Sequence, residues 1–194
     1  MSARLSVDSP RSRRPWIIPN TCHARELEID DGFADSDEFL VERTTIVKAE
    51  ASVVFALIND FHHWTQFSPW EGLDPAMQRT YAGPDAGVGA SYAWAGNKKA
   101  GSGSMVITES VPDERVVLDL AFLKPFKAQN VTTFLISPNA GASPNAGEVQ
   151  VTWKMTGKKN LFFKIFGFIF SMDKLVGKDF EKGLSQLKAA AEKG

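Results

Sequence analysis

The chain has 194 residues, 43% of them apolar and 23% charged, with a formal net charge of −1. That supports one ordinary core rather than two large domains, and a near-neutral balance offers no strongly basic face for nucleic acid. One cysteine, Cys22, excludes an internal disulfide; no apolar run reaches the ~18 residues of a membrane span, and the first residues lack the apolar centre of a secretory signal, so a cytoplasmic setting is expected.

Residues 1–38 read as a charged tail. Arg4, Arg11, Arg13, Arg14 and Arg25 give way to Glu26, Glu28, Asp30, Asp31, Asp35, Asp37 and Glu38, and Pro10, Pro15 and Pro19 interrupt any periodicity. Such a segment buries too little surface to order itself. A second reading makes it an arm anchored by Trp16, Ile17 and Ile18 on the domain or on another copy. The folded domain is expected over 39–194.

A first strand is predicted in FLVERTTIVK, from Phe39. A helix then opens at Ala49 or Glu50 and runs through ASVVFALIND, with Val53, Val54, Leu57 and Ile58 as its apolar face. Asp60, His62 and His63 end it, and HHWTQFSPW reads as a second short helix stopped by Pro69. A strand near Met77–Tyr81 precedes the turn GPDAGVG, rich in residues that tolerate positive φ. Five more strands are predicted at Ala90–Ala95, Ser102–Ser110, Val116–Leu123, Ala128–Ile136 and Glu148–Thr156. Pro112-Asp113 and Lys124-Pro125 mark breaks, and PNAGASPNAG, which holds PNAG twice, reads as an exposed loop.

Strand alternation assigns faces. Val149, Val151, Trp153 and Met155 share the inner side of the last strand. Val116, Leu118, Leu120 and Phe122 oppose Asp119, which faces water. Tyr92 lies with Trp94, and Gly101, Gly103, Met105 and Ile107 form another inner row, its glycines leaving space for bending or for a guest. Asn130, Thr132, Phe134 and Ile136 are assigned inward. The inner surface is thus aromatic and aliphatic with a few polar atoms, the usual make-up of a small-molecule pocket and equally of an ordinary core.

The chain ends in a predicted helix over Leu161–Lys193. Ile165, Ile169, Met172, Val176, Phe180, Leu184, Leu187 and Ala191 form one stripe, and Lys174, Lys178 and Lys182 lie on another face. Gly167, Gly177 and Gly183 each cost a helix up to ~1 kcal/mol relative to Ala, which implies close approach of the sheet or of a ligand. A long helix against a curved sheet can leave a hollow between them.

This order resembles the START-like, or Bet v 1-like, helix-grip superfamily, and within it the bacterial polyketide cyclase/dehydrase and lipid-transport (SRPBCC) branch. The resemblance runs from Phe39 to the end. Its carriers are VERTTIVKAEASVVFALIND, FHHWTQFSPW with Trp64, Pro69 and Trp70, then GSGSMVITE, VTWKMTG and MDKLVGKDFEKGLSQLK. It implies an α+β fold: a curved antiparallel sheet of about seven strands wrapped around a long C-terminal helix, with two short helices after the first strand. It also implies a deep cavity for hydrophobic or amphipathic ligands. Carried over by position, the lining would comprise Trp94, Met105, Leu120, Phe122, Asn130, Thr132, Trp153 and Met155 from the sheet, and Phe166, Phe170 and Met172 from the helix.

The residues offer no inward acid/base pair, metal-ligand spacing, phosphate loop or nucleophile–base constellation. His62 and His63 sit at a helix end, Glu109 ends a strand, Lys154 faces outward and Asp173 falls on the polar face of the last helix. No catalytic residue, metal or cofactor is assigned. The leading expectation is a carrier or sensor of a small hydrophobic molecule. The alternatives are a cyclase/dehydratase-type enzyme, in which Asn130 with Asp173 or His63 reaches the cavity, and an interaction module or homodimer using the Phe-rich LFFKIFGFIF.

Overall fold

The first strand, β1 (Glu38–Val47), turns inward with Phe39, Val41 and Val47, and interrupts that row with Arg43. The structure is a computed structural model that describes residues 38–141, 147–158 and 172–193, all within the unit Asp35–Gly194. The tail before Glu38, most of the PNAG loop and the Phe-rich segment LFFKIFGFIF lie outside the described residues.

Helix α1 (Ala51–Asn59) buries Val54 and Ile58, one turn apart, whereas Val53 is 39% exposed and does not belong to the inner face. The second short helix is a 3₁₀ turn, Phe61–Gln66. Asp60 caps it by accepting from the His62 amide at 2.8 Å. Trp64 Nε1 donates to the Ile58 carbonyl at 2.9 Å, which satisfies one of the orphan acceptors at the end of α1.

The remaining strands are β2 (Gln78–Ala82), β3 (Ser91–Ala95), β4 (Ser102–Val111), β5 (Arg115–Lys124), β6 (Ala128–Pro138) and β7 (Val149–Lys158), followed by helix α2 (Met172–Ala191). The strands form one antiparallel sheet in the order β1-β7-β6-β5-β4-β3-β2. Asp113, at φ 62°, turns β4 into β5; aspartate is among the residues that tolerate this region. A register shift between Ile107 and Glu109 leaves Thr108 unopposed, a local bulge of the kind that adds twist.

Alternation sets the inner rows as the sequence predicts. Asn130, Thr132, Phe134 and Ile136 are buried along β6, and Val149, Val151, Trp153 and Met155 along β7. Gly103 differs from expectation. A Cβ there would lie 2.4 Å from the Trp94 ring and 2.5 Å from the Ala121 carbonyl, so the space it clears is filled by Trp94 and not by a guest.

Helix α2 buries Phe180, Leu184, Leu187 and Ala191 and exposes Lys174, Lys178 and Lys182. It lies chiefly along β1 and also touches β7, α1 and the 3₁₀ turn. Polar bonds fasten it there. Arg43 clasps Asp173 through both terminal nitrogens at 2.7 and 3.0 Å and reaches Glu181 through Nε at 2.8 Å. Lys188 Nζ donates to the Ile46 carbonyl, and the Lys48 amide to Glu192, each at 2.8 Å. Gly177 makes room for the clasp, since a Cβ would fall on the Arg43 guanidinium. Among the described residues no helix is long and apolar enough to cross a membrane. The whole is the α+β helix-grip architecture: a curved seven-stranded sheet, a C-terminal helix, and short helices after the first strand.

The Arg43 clasp has a pH signature. Hydrogen bonding to Arg43, then its charge, holds the Asp173 carboxyl below the usual carboxylate range. A depressed native value makes its stability contribution complete above the unfolded value of about 3.9 and removes it as pH falls through the lower native value. Asp173 is half exposed and Arg43 about a quarter, so Arg43→Met should cost about 0.5–1 kcal/mol at pH 7. The difference from the parent should close only below the ordinary carboxylate range, as urea denaturation at several pH values would check.

Candidate functional site

The inner sheet face, the segment after the 3₁₀ turn and one residue of α2 surround a cavity of about 90 Å³. Among the described residues, Trp64, Ser68, Trp70, Glu71 and Met77 contribute one wall. Tyr92, Trp94 and Ala100 come from β3 and the turn beyond it, Met105 from β4, Leu118 and Phe122 from β5, and Thr132 from β6. Trp153 and Met155 come from β7, and Phe180 from α2.

Six of the residues singled out from the sequence meet here: Trp94, Met105, Phe122, Thr132, Trp153 and Met155. Leu120 and Asn130 do not line this cavity. They border an open cleft at the ends of β5, β6 and β7, which Phe122 shares. Their faces are those expected; Asn130 sits beyond Thr132 towards the start of β6, whereas Leu120 lies between the lining residues Leu118 and Phe122 of β5 and is turned to the neighbouring cleft. Phe166 and Phe170 lie outside the described residues, as does the side chain of Met172 at the start of α2.

Aromatic contacts stiffen the wall. Trp153 stacks on Phe180 with centroids 4.5 Å apart and planes at 15°, and leans on Phe134 at 4.7 Å. Trp70 meets both Trp153 and Phe180 edge-on, at 5.8 and 6.2 Å. Trp94 stacks with Tyr92 at 6.0 Å and meets the Phe122 ring edge-on at 5.8 Å. Offset and edge-to-face geometries are those aromatic rings prefer. Gly183 lets α2 come this close, because a Cβ there would stand 2.6 Å from Trp153 Cζ3 and 3.1 Å from Pro69 Cδ.

One polar network borders the cavity. Glu71 accepts from the Tyr92 hydroxyl at 2.6 Å through one oxygen and from Arg79 Nε at 2.7 Å through the other. Burial, and then the bond to Glu71, push the Tyr92 hydroxyl far above the usual phenol range. Tyr92 therefore acts as a hydrogen-bond donor and not as a base. The sequence carried no signal for Glu71, which is one of many charged residues in an irregular segment. Phe180 was visible in the inner stripe of the helix, and Trp70 in the aromatic–proline cluster.

The other candidate acids and bases lie elsewhere. His62 Nδ1 is 2.7 Å from Asp60, and His63 Nδ1 3.2 Å from the Ala56 carbonyl. Glu109 pairs with Arg115, Asp173 with Arg43, and Asp119 is exposed. None of these side chains lines the cavity.

Residues 38–192 match the family described as polyketide cyclase/dehydrase and lipid transport. No curated protein matches. Solved structures of the same fold include a protein from Chromobacterium violaceum, 15% identical over 79% of this chain and 96% of that one, with a TM-score of 0.56. A protein of unknown function from Staphylococcus aureus is 12% identical over 80% of this chain and 94% of its own, with a TM-score of 0.57. Major latex-like protein 151 from Panax ginseng is 12% identical over 80% and 99%, with a TM-score of 0.54. At these identities the likeness is one of fold.

Proposed function

The chain belongs to the polyketide cyclase/dehydrase and lipid-transport family, and on that premise we propose that it binds a small hydrophobic or amphipathic molecule, as a carrier or sensor, in the cavity between the sheet and α2. The observation that carries this reading is the wall itself. Trp64, Trp70, Trp94, Trp153, Phe122 and Phe180 surround the space, with Met77, Met105 and Met155 between them. Apolar walls with a few polar atoms are what small-molecule sites present. The volume of about 90 Å³ is below the roughly 150 Å³ of an apolar cavity that takes benzene. A guest larger than that requires wall movement, which unbranched methionines permit at low cost.

Removing roughly 300 Å² of apolar ligand surface from water yields about 7 kcal/mol before the costs of capture, so micromolar or weaker affinity follows. Native mass spectrometry of protein purified from cells should detect a bound mass. The neutral dye N-phenyl-1-naphthylamine should bind saturably and be displaced by members of a lipid and aromatic panel. No bound mass together with no saturable dye binding would remove the carrier reading.

One observation keeps an enzymatic reading in view. Glu71 and Tyr92 border the cavity, so a carboxylate and a proton donor stand beside the space where a ring-closing substrate would lie. Both Glu71 oxygens are already engaged, which favours binding over proton abstraction. A cyclase/dehydratase role requires turnover of a polyketone that Glu71→Gln abolishes.

A further inference from the structure

Among the described residues, three buried side-chain polar atoms have no hydrogen-bond partner: Asn130 Oδ1, Thr132 Oγ1 and Trp153 Nε1, each with less than 1 Å² open to water. Folded proteins keep few such groups, because each forfeits the bond it had with water. All three stand on the inner face of two neighbouring strands. Thr132 is paired across the ladder with Met155, and Trp153 follows two residues before Met155 on the same face. Thr132 is 3% and Trp153 2% exposed, and both line the cavity. Asn130 Oδ1 packs against Gly157 and belongs to the outer cleft.

The chemistry of the Thr132–Trp153 pair is specific. An indole N–H only donates, whereas a hydroxyl donates or accepts. A single oxygen within reach of both, accepting from the indole and exchanging a hydrogen bond with the threonine, would satisfy both. That oxygen does not belong to a carboxylate. Among the described lining residues the ionisable groups are Glu71 and Tyr92, and the cation that balances Glu71, Arg79, does not line the cavity. An anionic ligand would be buried beside an acid with no cation of its own.

Resting on the carrier reading above, we infer that the ligand is a neutral apolar molecule bearing one hydroxyl or carbonyl, whose oxygen seats between Thr132 Oγ1 and Trp153 Nε1. Neither atom is open to water, so seating the oxygen involves a small displacement of the wall, and the two new hydrogen bonds favour it. A purely hydrocarbon guest gains the apolar contacts alone, and a fatty or aromatic carboxylate is disfavoured.

Three probes of one shape separate these cases at pH 7: p-cresol, toluene and p-toluate. Binding is read by calorimetry and by the ¹⁵N–¹H signal of the Trp153 indole, identified by its absence in Trp153→Phe. p-Cresol should bind about five- to thirtyfold more tightly than toluene, the effect of one to two net hydrogen bonds, and should move the indole signal. Thr132→Val should lower the ratio of p-cresol to toluene affinity, both measured in that variant, because the indole is then the one remaining partner of the oxygen. If Trp153→Phe does not fold, the ratio of p-cresol to toluene affinity in the parent and in Thr132→Val still decides. Equal binding of p-cresol and toluene, or tightest binding of p-toluate, overturns this inference and leaves the carrier reading standing. Failure of all three probes, joined by failure of the neutral dye, removes both.

Discussion

Trp153→Ala should destabilise the protein by about 3–5 kcal/mol, the range for removing a large buried aromatic. The side chain is 2% exposed. It stacks on Phe180, leans on Phe134, and receives the edges of Trp70 and Phe67. It therefore joins β7 to α2, to β6 and to the segment after the 3₁₀ turn. Truncation leaves a void bordering an existing cavity, so the loss of contacts is uncompensated unless the neighbouring rings collapse. Domains of this size are stable by about 5–15 kcal/mol, which puts the variant near its unfolding threshold. Urea denaturation followed by circular dichroism measures the change. A loss below about 1 kcal/mol would mean that the rings re-pack freely and that the wall is not the rigid structure described above. For the same reason Trp153→Arg reports on folding before it reports on binding, whereas Trp153→Phe keeps one aromatic ring and loses the indole N–H together with part of the bicycle, a smaller void than alanine leaves.

The second large effect is expected at Gly183. In an exposed helix, glycine to alanine gains up to about 1 kcal/mol. Here the new Cβ would lie 2.6 Å from Trp153 Cζ3 and 3.1 Å from Pro69 Cδ, and neither a stacked indole nor a proline ring yields easily. Overpacking costs about 1–3 kcal/mol, so Gly183→Ala should be a net loss of about 1–2 kcal/mol and Gly183→Leu should lose about 3 or more. Gly177 is the internal control. Its Cβ would meet the end of the flexible Arg43 side chain, which can shift. Gly177→Ala should therefore fall within about 0.5 kcal/mol of the parent. Equal effects at the two positions, measured by thermal and urea denaturation, would contradict this distinction between rigid and yielding neighbours.

The contrast between these glycines shows how far the sequence could be read. Their presence in a long amphipathic helix announced close approach, and close approach is what they permit. What approaches them, a guanidinium in one case and a tryptophan in the other, is a property of tertiary packing with no local signal. Strands were more legible, because a period of two fixes which face a side chain takes. That is why Trp94, Met105, Phe122, Thr132, Trp153 and Met155 could be assigned to one surface. Parity does not say which stretch of a face the cavity takes, so Asn130 fell on the correct face and beyond its edge, and Leu120 on the correct face between two lining residues without lining it. Irregular segments have neither period nor face. Glu71 could not be placed until the chain between the 3₁₀ turn and β2 was seen folded back over the sheet, and Met77, expected at the start of a strand, stands just before β2 and completes the wall. Gly103 illustrates the reverse error: an absent side chain reads as vacant space, yet the neighbouring Trp94 ring occupies it.

The placement of the tryptophans has a practical side. Of five in the chain, Trp64, Trp70, Trp94 and Trp153 border a single cavity, so an occupant would lie against four of the five indoles. On the carrier reading the protein has its own optical gauge of loading: a shift in the colour or intensity of ultraviolet fluorescence would follow entry and release in real time, without a label and without altering the chain.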